Sequence, residues 1–180
     1  MYIITKTHGY EKTCFTTAVS LDGYIEGPNG EYDWCFMDQD YGMSEFFKRI
    51  DSVFYGRKSY ELALSMEGVE MLHPKLNEYV FSTTLQTVKP GATLVNGDIE
   101  DRVSKIKNDP GKDIWLFGGA SLTTSLLNLG LVDEISLAVH PIILGSGKLL
   151  FNNIRNRIGL TLIDHKAYST GLVFLTYTPS

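Results

Sequence analysis

Cysteine is scarce in this chain: Cys14 and Cys35 are the two among 180 residues, and they lie far apart. Two isolated thiols provide neither a disulfide framework nor a zinc site, so a reducing, cytoplasmic location is the simpler interpretation. The four histidines are also widely separated, and none stands with a cysteine or a carboxylate at the spacing of metal ligands. The sequence therefore predicts no metal site.

Positive charge is not in excess either, since 16 Lys and Arg face 21 Asp and Glu, for a formal net charge of −5. The basic residues are scattered along the chain, which argues against nucleic acid as a partner. Apolar runs are too short for a membrane span, and the start of the chain lacks the pattern of a secretory signal. We expect a cytoplasmic protein that binds neither membrane nor nucleic acid.

Several common catalytic signatures are missing. The sequence has no Gly-x-Ser-x-Gly elbow and no P-loop, which excludes the most frequent patterns of hydrolases and nucleotide triphosphatases. It has no internal repeat, low-complexity tract or linker. With 43% hydrophobic residues, 180 residues are enough for one core, so a single domain over 1–180 is expected.

What the chain does contain is an alternation of strand-like and helix-like segments. Between the strands, Ser44 and Asp98 are predicted to cap helices, and Gly130 to end one in a left-handed conformation. Turn signals indicate a long loop over 26–39. Apolar runs predict strands at 15–20, 52–55, 79–83, 93–95, 114–117 and 134–140, then a closing hairpin of 160–168 and 172–178.

This order predicts an α/β fold. Strands that alternate with helices favour parallel pairing, and the closing hairpin adds antiparallel strands. The expected architecture is therefore three-layered, α/β/α, with a mixed, mostly parallel sheet that the C-terminal antiparallel hairpin closes. In such sheets ligands bind outside the carboxyl ends of the parallel strands.

Two short segments at those strand ends share one design, in which an apolar run is followed by glycine and then by small or basic residues that open a helix. They are Ser52-Val53-Phe54-Tyr55-Gly56-Arg57-Lys58-Ser59 and Ile114-Trp115-Leu116-Phe117-Gly118-Gly119-Ala120-Ser121. Free backbone N–H groups and the positive end of a helix dipole bind anions. The first segment adds two full charges, and the second suits a pyrophosphate cradle. Together they predict a phosphorylated dinucleotide as ligand.

Each segment also has a simpler interpretation when taken alone. The first can be the start of a surface helix with solvated basic residues, and the paired glycines of the second can be a tight packing turn. Their joint occurrence, with Ser82 and Thr83 after a third strand, favours the ligand site. Trp34, in the long loop, can be a core residue or a lid aromatic that faces the substrate.

The order of motifs resembles the dihydrofolate-reductase-like family, and within it most the branch named for the C-terminal reductase domain of the bifunctional riboflavin-biosynthesis enzyme. The resemblance covers the chain from about Cys14 to its end. It is carried by Ala18-Val19-Ser20-Leu21-Asp22-Gly23, Gly56-Arg57-Lys58-Ser59-Tyr60-Glu61, Phe81-Ser82-Thr83, Phe117-Gly118-Gly119-Ala120-Ser121-Leu122, Leu131-Val132-Asp133-Glu134 and Pro141-Ile142-Ile143-Leu144-Gly145-Ser146-Gly147-Lys148.

The resemblance implies an NADPH site. Arg57 or Lys58 would join Ser82 and Thr83 around the adenosine 2′-phosphate. Ala18 and Ile25 match positions that meet the nicotinamide. The phosphates would be bound by Gly56, Arg57, Lys58 and Ser59 on one side, and the pyrophosphate by Gly118, Gly119, Ala120, Ser121 and Leu122 on the other.

The expected activity is NADPH-dependent reduction of a small substrate, a pterin-like or aminopyrimidine-like heterocycle or a carbonyl or imine group. One alternative is the 5-amino-6-(5-phosphoribosylamino)uracil reductase of riboflavin biosynthesis. Another, of a different class, is an NADP-binding protein without turnover. The sequence identifies no proton donor. Relatives in the riboflavin-type branch commonly form dimers, and the apolar final third of the chain makes a homodimer plausible here.

Overall fold

The computed structural model describes residues 11–65 and 75–180. Residues 1–10, on which most of the prediction of no secretory signal rests, lie outside the described residues. His8 and His73 also lie outside them. The described elements are β1 Thr13–Ser20, β2 Tyr24–Glu26, α1 Met43–Arg49, β3 Ile50–Gly56, α2 Arg57–Ser65, β4 Asn77–Phe81, β5 Ala92–Val95, α3 Ile99–Asn108, β6 Asp113–Gly118, α4 Ala120–Asn128, β7 Glu134–His140, β8 Lys148–Leu149, β9 Leu160–Ala167 and β10 Val173–Pro179.

Within the described ranges, eight strands form one mixed sheet in the order β5-β4-β3-β6-β1-β7-β10-β9. From β5 to β7 in this order, every pair of neighbouring strands is parallel. β10 pairs antiparallel with both β7 and β9. A separate two-stranded ribbon joins β2 to β8. The predicted α/β fold with its closing hairpin is confirmed.

The sheet is covered by helices on both faces, which explains why its central strands are continuously apolar. Along β3, Phe54 belongs to the cluster under α3 and α4, while Val53 and Tyr55 on either side of it belong to the cluster under α1 and α2. Successive side chains of a strand point to opposite faces, so both faces of β3 are buried. None of the described helices is long and apolar enough to span a membrane.

Two of the three predicted helix signals are confirmed. The Asp98 carboxylate accepts a hydrogen bond from the Asp101 amide at 3.2 Å, and Gly130 follows α4 with a φ of +66°. The prediction that Ser44 caps α1 is wrong, because the N-cap is Gly42. The Asp40 carboxylate accepts from both the amide and the hydroxyl of Ser44, at 2.9 and 2.8 Å. A left-handed turn at residues 41 and 42 brings this upstream acid over the helix end.

Candidate functional site

A cavity of about 700 Å³ lies at the carboxyl ends of β3, β4, β5 and β6. Most of the predicted cofactor residues line it: Gly56, Arg57, Lys58, Ser59, Ser82, Thr83, Gly119, Ala120, Ser121 and Leu122. These residues come from three separate segments of the chain. The fold therefore brings them together at the edge of the sheet where ligands of α/β proteins bind.

The two glycine segments are adjacent because β3 and β6 are neighbouring parallel strands, with Tyr55 opposite Gly118. A β-carbon built on Gly56 would lie 3.3 Å from the carbonyl oxygen of Gly118. The ends of the two strands thus approach each other too closely for a larger residue at position 56 to fit without a shift.

Gly119 is the residue that joins the second strand to its helix. It has a φ of +65° and serves as the N-cap of α4, whose first intrahelical bond runs from the Thr123 amide to the Gly119 carbonyl at 3.0 Å. The backbone N–H groups at the start of α4 are left without helical acceptors, as at any helix N-terminus. They lie in the wall of the cavity, where they can bind an anion.

The positive charges of the site lie at the N-terminus of a helix, where positive charge is unfavourable. Arg57 and Lys58 occupy the first turn of α2, next to the positive end of the helix dipole, and that turn contains no acidic residue. The Arg57 guanidinium is bonded to both oxygens of Glu61, one turn later, at 2.9 and 3.1 Å. For Lys58, no carboxylate partner is found in the described part of the chain. A bound anion would relieve this repulsion.

Ser82 and Thr83 follow β4, which ends at Phe81, two residues before the predicted end of the strand. The Ser82 hydroxyl oxygen accepts from the amides of Thr84 and Leu85, at 3.2 and 3.0 Å, and so shapes the turn. The proton of this hydroxyl can be donated either to the Thr84 hydroxyl, 3.3 Å away, or to a ligand. The hydroxyl can therefore hold a phosphate oxygen at the mouth of the cavity.

Sequence reasoning missed part of the cavity wall. Asn96 and Gly97 line it because they follow β5, the next parallel strand, and their position after a short apolar run was the available signal. Glu26 and Lys148 also line it, and they form an ion pair across the β2–β8 ribbon. That pairing joins segments 122 residues apart, which no local pattern could indicate.

Three predicted residues lie outside the residues that line this cavity: Ala18, Ile25 and Gly118. Ala18 is half-buried on β1 opposite Ala138 of β7, and Ile25 packs against the core under α3 and α4. Gly118 is buried, and a β-carbon on it would lie 3.3 Å from the Thr123 hydroxyl. Gly118 therefore allows close packing of the β6 end against α4.

Asp22 fixes the turn that follows β1. Its carboxylate accepts from the Ser20 hydroxyl at 2.7 Å and from the amides of Leu144 and Gly145 at 3.1 and 2.7 Å. These bonds favour the charged form and lower the pKa of the Asp22 carboxyl, with the Ser20 hydroxyl as the largest cause. The resemblance motif Leu21-Asp22-Gly23 thus has a structural role, since it attaches the segment before β8 to the end of β1.

The long loop after β2 is anchored on His140, at the carboxyl end of β7. The imidazole Nδ1 lies 2.9 Å from the Ala138 carbonyl, and Nε2 accepts from the Phe36 amide at 3.0 Å. Trp34 packs edge-on against the same ring, with centroids 5.3 Å apart, and is half-buried. Its Nε1–H is buried with no hydrogen-bond partner among the described residues. Trp34 is therefore part of an ordered loop that covers the carboxyl end of β7.

The cavity combines free helix N–H groups, basic side chains and hydroxyls at the switch point of a mostly parallel sheet. On a sheet of this topology, the cavity is that of a dihydrofolate-reductase-like α/β protein, and its lining is suited to an anion. The chain belongs to the RibD C-terminal domain family, whose model matches residues 11–174. That family is one of reductases.

Known proteins resemble the chain over most of its length. It is 45% identical over 171 residues to YyaP of Bacillus subtilis, covering 89% of this chain and 90% of YyaP. A candidate riboflavin biosynthesis protein from Shewanella sp. PV-4 matches with a TM-score of 0.81 and 25% identity, over 94% of this chain and 99% of that one. Dihydrofolate reductase from Enterococcus faecalis, in complex with NADP(H), matches with a TM-score of 0.66 and 12% identity, over 95% and 99%. The last likeness concerns the fold alone.

Proposed function

We propose that this protein is an NADPH-dependent reductase of a small substrate. The observation that carries the proposal is the single cavity in which the start of α2, the turn after β4 and the start of α4 meet. The adenosine 2′-phosphate would lie between Arg57, Lys58 and the hydroxyls of Ser82 and Thr83. The pyrophosphate would lie on the start of α4.

Charge supports the phosphorylated cofactor over NADH. Proteins that bind a free ribose 2′-hydroxyl use a carboxylate, whereas a 2′-phosphate requires cations and hydroxyl donors. Glu26 is the one carboxylate among the described residues of the cavity wall, and Lys148 already pairs with it. The basic start of α2, unfavourable in a free helix, supports the same choice.

When bound, a reduced nicotinamide supplies the hydride. The residues of this chain hold the two phosphate groups and thereby fix the position of the ring, which would lie against Ala18 and Ile25. The loop anchored on His140 covers that end of the sheet and limits access of water. The substrate would enter between this loop and the Gly145-Ser146-Gly147 turn, and it would be a pterin-like or aminopyrimidine-like ring, a carbonyl or an imine.

The direct test measures cofactor binding and turnover separately. Titration of the purified protein with NADPH and NADH, followed by nucleotide fluorescence, should give tighter binding for NADPH. Oxidation of NADPH should then be screened against pterins, aminopyrimidine ribosides and simple carbonyl compounds. Binding without oxidation across the panel would favour an NADP-binding protein without turnover, and equal affinity for the two nucleotides would contradict the assignment of the 2′-phosphate site.

We further propose that the protein is a cytoplasmic homodimer. β9 is the last strand of the sheet, and all of its eight residues are exposed. Leu160, Leu162 and Ile163 are exposed by 41%, 48% and 52%. A long apolar edge strand favours association with another chain, and a second copy is the simplest cover.

A further inference from the structure

The two hydrogen bonds of His140 determine which of its ring nitrogens carries the proton. Nε2 accepts from the Phe36 amide at 3.0 Å and must therefore carry a lone pair. Nδ1 lies 2.9 Å from the Ala138 carbonyl oxygen and must therefore carry the proton. His140 is thus neutral in this structure, and only 2% of it is exposed. A second proton, on Nε2, would point at the N–H group of Phe36 and break that bond.

This bond is the polar attachment of the loop between β2 and α1. In the described part of the chain, no other hydrogen bond joins residues 32–37 to a segment outside the loop. The Cys35 amide bonds within the loop, to the Tyr32 carbonyl at 3.1 Å. Residues 34–36 are half-buried, whereas residues 31–33 and 37–40 on either side of them are exposed. The loop is therefore held to the sheet at one point, on His140.

Packing on the same ring supplies the rest of the attachment. The ring centroids of Trp34 and Phe36 lie 5.3 and 5.0 Å from that of His140. The closed position has a cost, because the Trp34 Nε1–H is buried without a hydrogen-bond partner among the described residues. Release of the loop would give this group access to water. Loss of the Phe36 bond therefore shifts the loop toward release.

The segments next to His140 offer no ready partner for a positive charge on its ring. Asp22, in the turn after β1, already accepts three hydrogen bonds from other groups. The segment 141–147, which follows His140, has no titratable residue. From the hairpin, Lys166 lies over the Tyr168 ring, 4.8 Å from its centroid, and is itself a cation. Among the described residues, no carboxylate bonds to the His140 ring.

The titratable groups of the loop itself face solvent or stay neutral. Burial raises the pKa of the Cys35 thiol to about 11, so it carries no charge near neutral pH. The Tyr41 hydroxyl donates to Asp38 at 2.6 Å. The exposed titratable residues of the loop are Glu31, Tyr32, Asp33, Asp38 and Asp40. A proton on His140 would thus cost the loop its anchor without a new ion pair in return.

We propose that His140 is a positioning residue that anchors this loop in a pH-dependent manner. Neutral His140 holds residues 34–36 over the carboxyl end of β7, and protonated His140 releases them. Ala138, which accepts the Nδ1–H, pairs with Ala18 of β1, so the anchor acts on the strand pair where the nicotinamide would lie. The effect on turnover rests on the proposed reductase function, whereas the release of the loop does not.

The test follows the fluorescence of Trp34 in the full chain, with Trp115→Phe as background so that Trp34 is the only indole. Quenching by acrylamide should be weak at about pH 8 and strong at about pH 5.5, since imidazoles gain their proton in this range. The lost bond and the amide left without a partner should shift the equilibrium toward the released loop roughly five- to a hundredfold.

Three variants in this background assign the response to His140. In His140→Gln, the carboxamide oxygen can accept from the Phe36 amide but does not titrate, so quenching should be the same at both pH values. His140→Phe keeps a ring without an acceptor, and its quenching should be strong throughout. His165→Gln is the matched control, because His165 is exposed on β9, and it should keep the full pH response. Should His140→Phe not fold, the other two variants still decide.

Equal quenching at the two pH values in the background protein overturns the proposal, as does a pH response that persists in His140→Gln. These measurements use no nucleotide, so they are independent of the reductase proposal. With a substrate from the NADPH screen, turnover of the unchanged protein relative to His140→Gln should fall as the pH decreases from about 8 to about 5.5. A constant ratio would show that the loop does not position the reacting groups.

Discussion

Gly119 and Ser59, one from each glycine segment, are immediate neighbours in the wall of the cavity at the carboxyl ends of β3 to β6: a β-carbon on Gly119 would lie 3.2 Å from the Ser59 hydroxyl oxygen. The N-termini of α2 and α4 are therefore close enough to contact one ligand. A side chain at position 119 would displace Ser59 and enter the space of a pyrophosphate.

Replacement of Gly119 should reduce nucleotide binding in addition to its cost in stability. Gly119→Val should abolish NADPH binding, and Gly119→Ala should weaken it by at least about tenfold. Gly130→Ala is the control, because Gly130 has nearly the same φ, +66° against +65°, but nothing lies within 4 Å of its β-carbon position. Gly130→Ala should lose about 1–2 kcal/mol of stability, and Gly119→Ala should lose more, because the ψ of 138° at Gly119 lies outside the left-handed helical region. Normal NADPH binding by a folded Gly119→Val would show that the paired glycines are a packing turn.

Arg57→Ala should distinguish the two nicotinamide cofactors. A charge-assisted bond to the 2′-phosphate contributes about 1.5–3 kcal/mol, so NADPH affinity should fall roughly ten- to a hundredfold while NADH affinity hardly changes. Dissociation constants from fluorescence titration measure both. Arg102→Ala, on the exposed surface of α3, should change neither. An equal loss for the two cofactors would mean that Arg57 does not contact the 2′-phosphate.

Glu11 should make the protein less stable as the pH rises. Desolvation by burial, then the charges of Asp51, Asp109 and Asp113, raise the pKa of Glu11 from 4.5 to about 7. The folded state therefore holds a proton that the unfolded state releases, and this contribution is full below about pH 4.5 and lost as the pH rises through about 7.

Thermal unfolding measured over that range checks the sign. Glu11→Gln should raise the melting temperature at about pH 8 and change it little at about pH 5, since glutamine stays neutral. Glu100→Gln, at an exposed position on α3, is the matched control. The prediction is wrong if Glu11→Gln changes the melting temperature equally at both ends of the range.

Arg49 should be important for stability because it is the partner of a buried acid. Its guanidinium donates to Glu134 at 2.8 Å and to Asp113 at 3.1 Å. The Glu134 side chain is 7% exposed, whereas that of Arg49 is 40% exposed. Arg49→Met would leave the Glu134 charge buried and unpaired, and the half-exposed site puts the cost near the lower end of the roughly 3–5 kcal/mol typical of such losses.

Chemical denaturation of Arg49→Met measures that cost. Lys105→Met provides the comparison, since Lys105 forms a surface pair with Asp101 one turn away, and such pairs contribute about 0.3–0.5 kcal/mol. Similar losses for the two variants would show that Glu134 finds another partner or water.

We expect the exposed edge strand β9 to be covered by a second copy of the chain. Light scattering at micromolar concentration should give about twice the chain mass of 20.1 kDa. Leu162→Glu should shift the mass toward that of one chain by adding a charge to the apolar edge, whereas Glu100→Gln should not. A mass of one chain for the unchanged protein would refute the dimer.

Local patterns in the sequence were sufficient for the strands of the main sheet, though not for the β2–β8 ribbon, and most of the predicted cofactor residues line one cavity. Apolar runs of three to nine residues predicted the strands, and the residues after 55 and 117 were placed correctly at or next to strand ends. These predictions succeeded because glycine, small hydroxyl and basic residues after a buried strand have few uses other than a turn or a ligand site. The signal is local, so one sequence was enough.

The N-cap of α1 was predicted wrongly because local residue preferences indicate the wrong capping residue there. The acceptor, Asp40, lies upstream of a turn that has left-handed residues at 41 and 42, and the nearby Ser44 is the more usual capping residue. A tyrosine with a positive φ is uncommon, so no residue preference could indicate that turn.

The sequence by itself determined the α/β class, the succession of the main strands along the chain and the two glycine segments at strand ends, because these depend on periodicity and on residues adjacent in the chain. The tertiary structure decided which distant segments contact each other and line the same cavity. The Glu26–Lys148 pair, the anchoring of the long loop on His140 and the attachment of the 152–155 segment to α4 all join residues far apart in the chain. Such contacts result from how the elements pack against each other, and packing leaves no local pattern in the sequence.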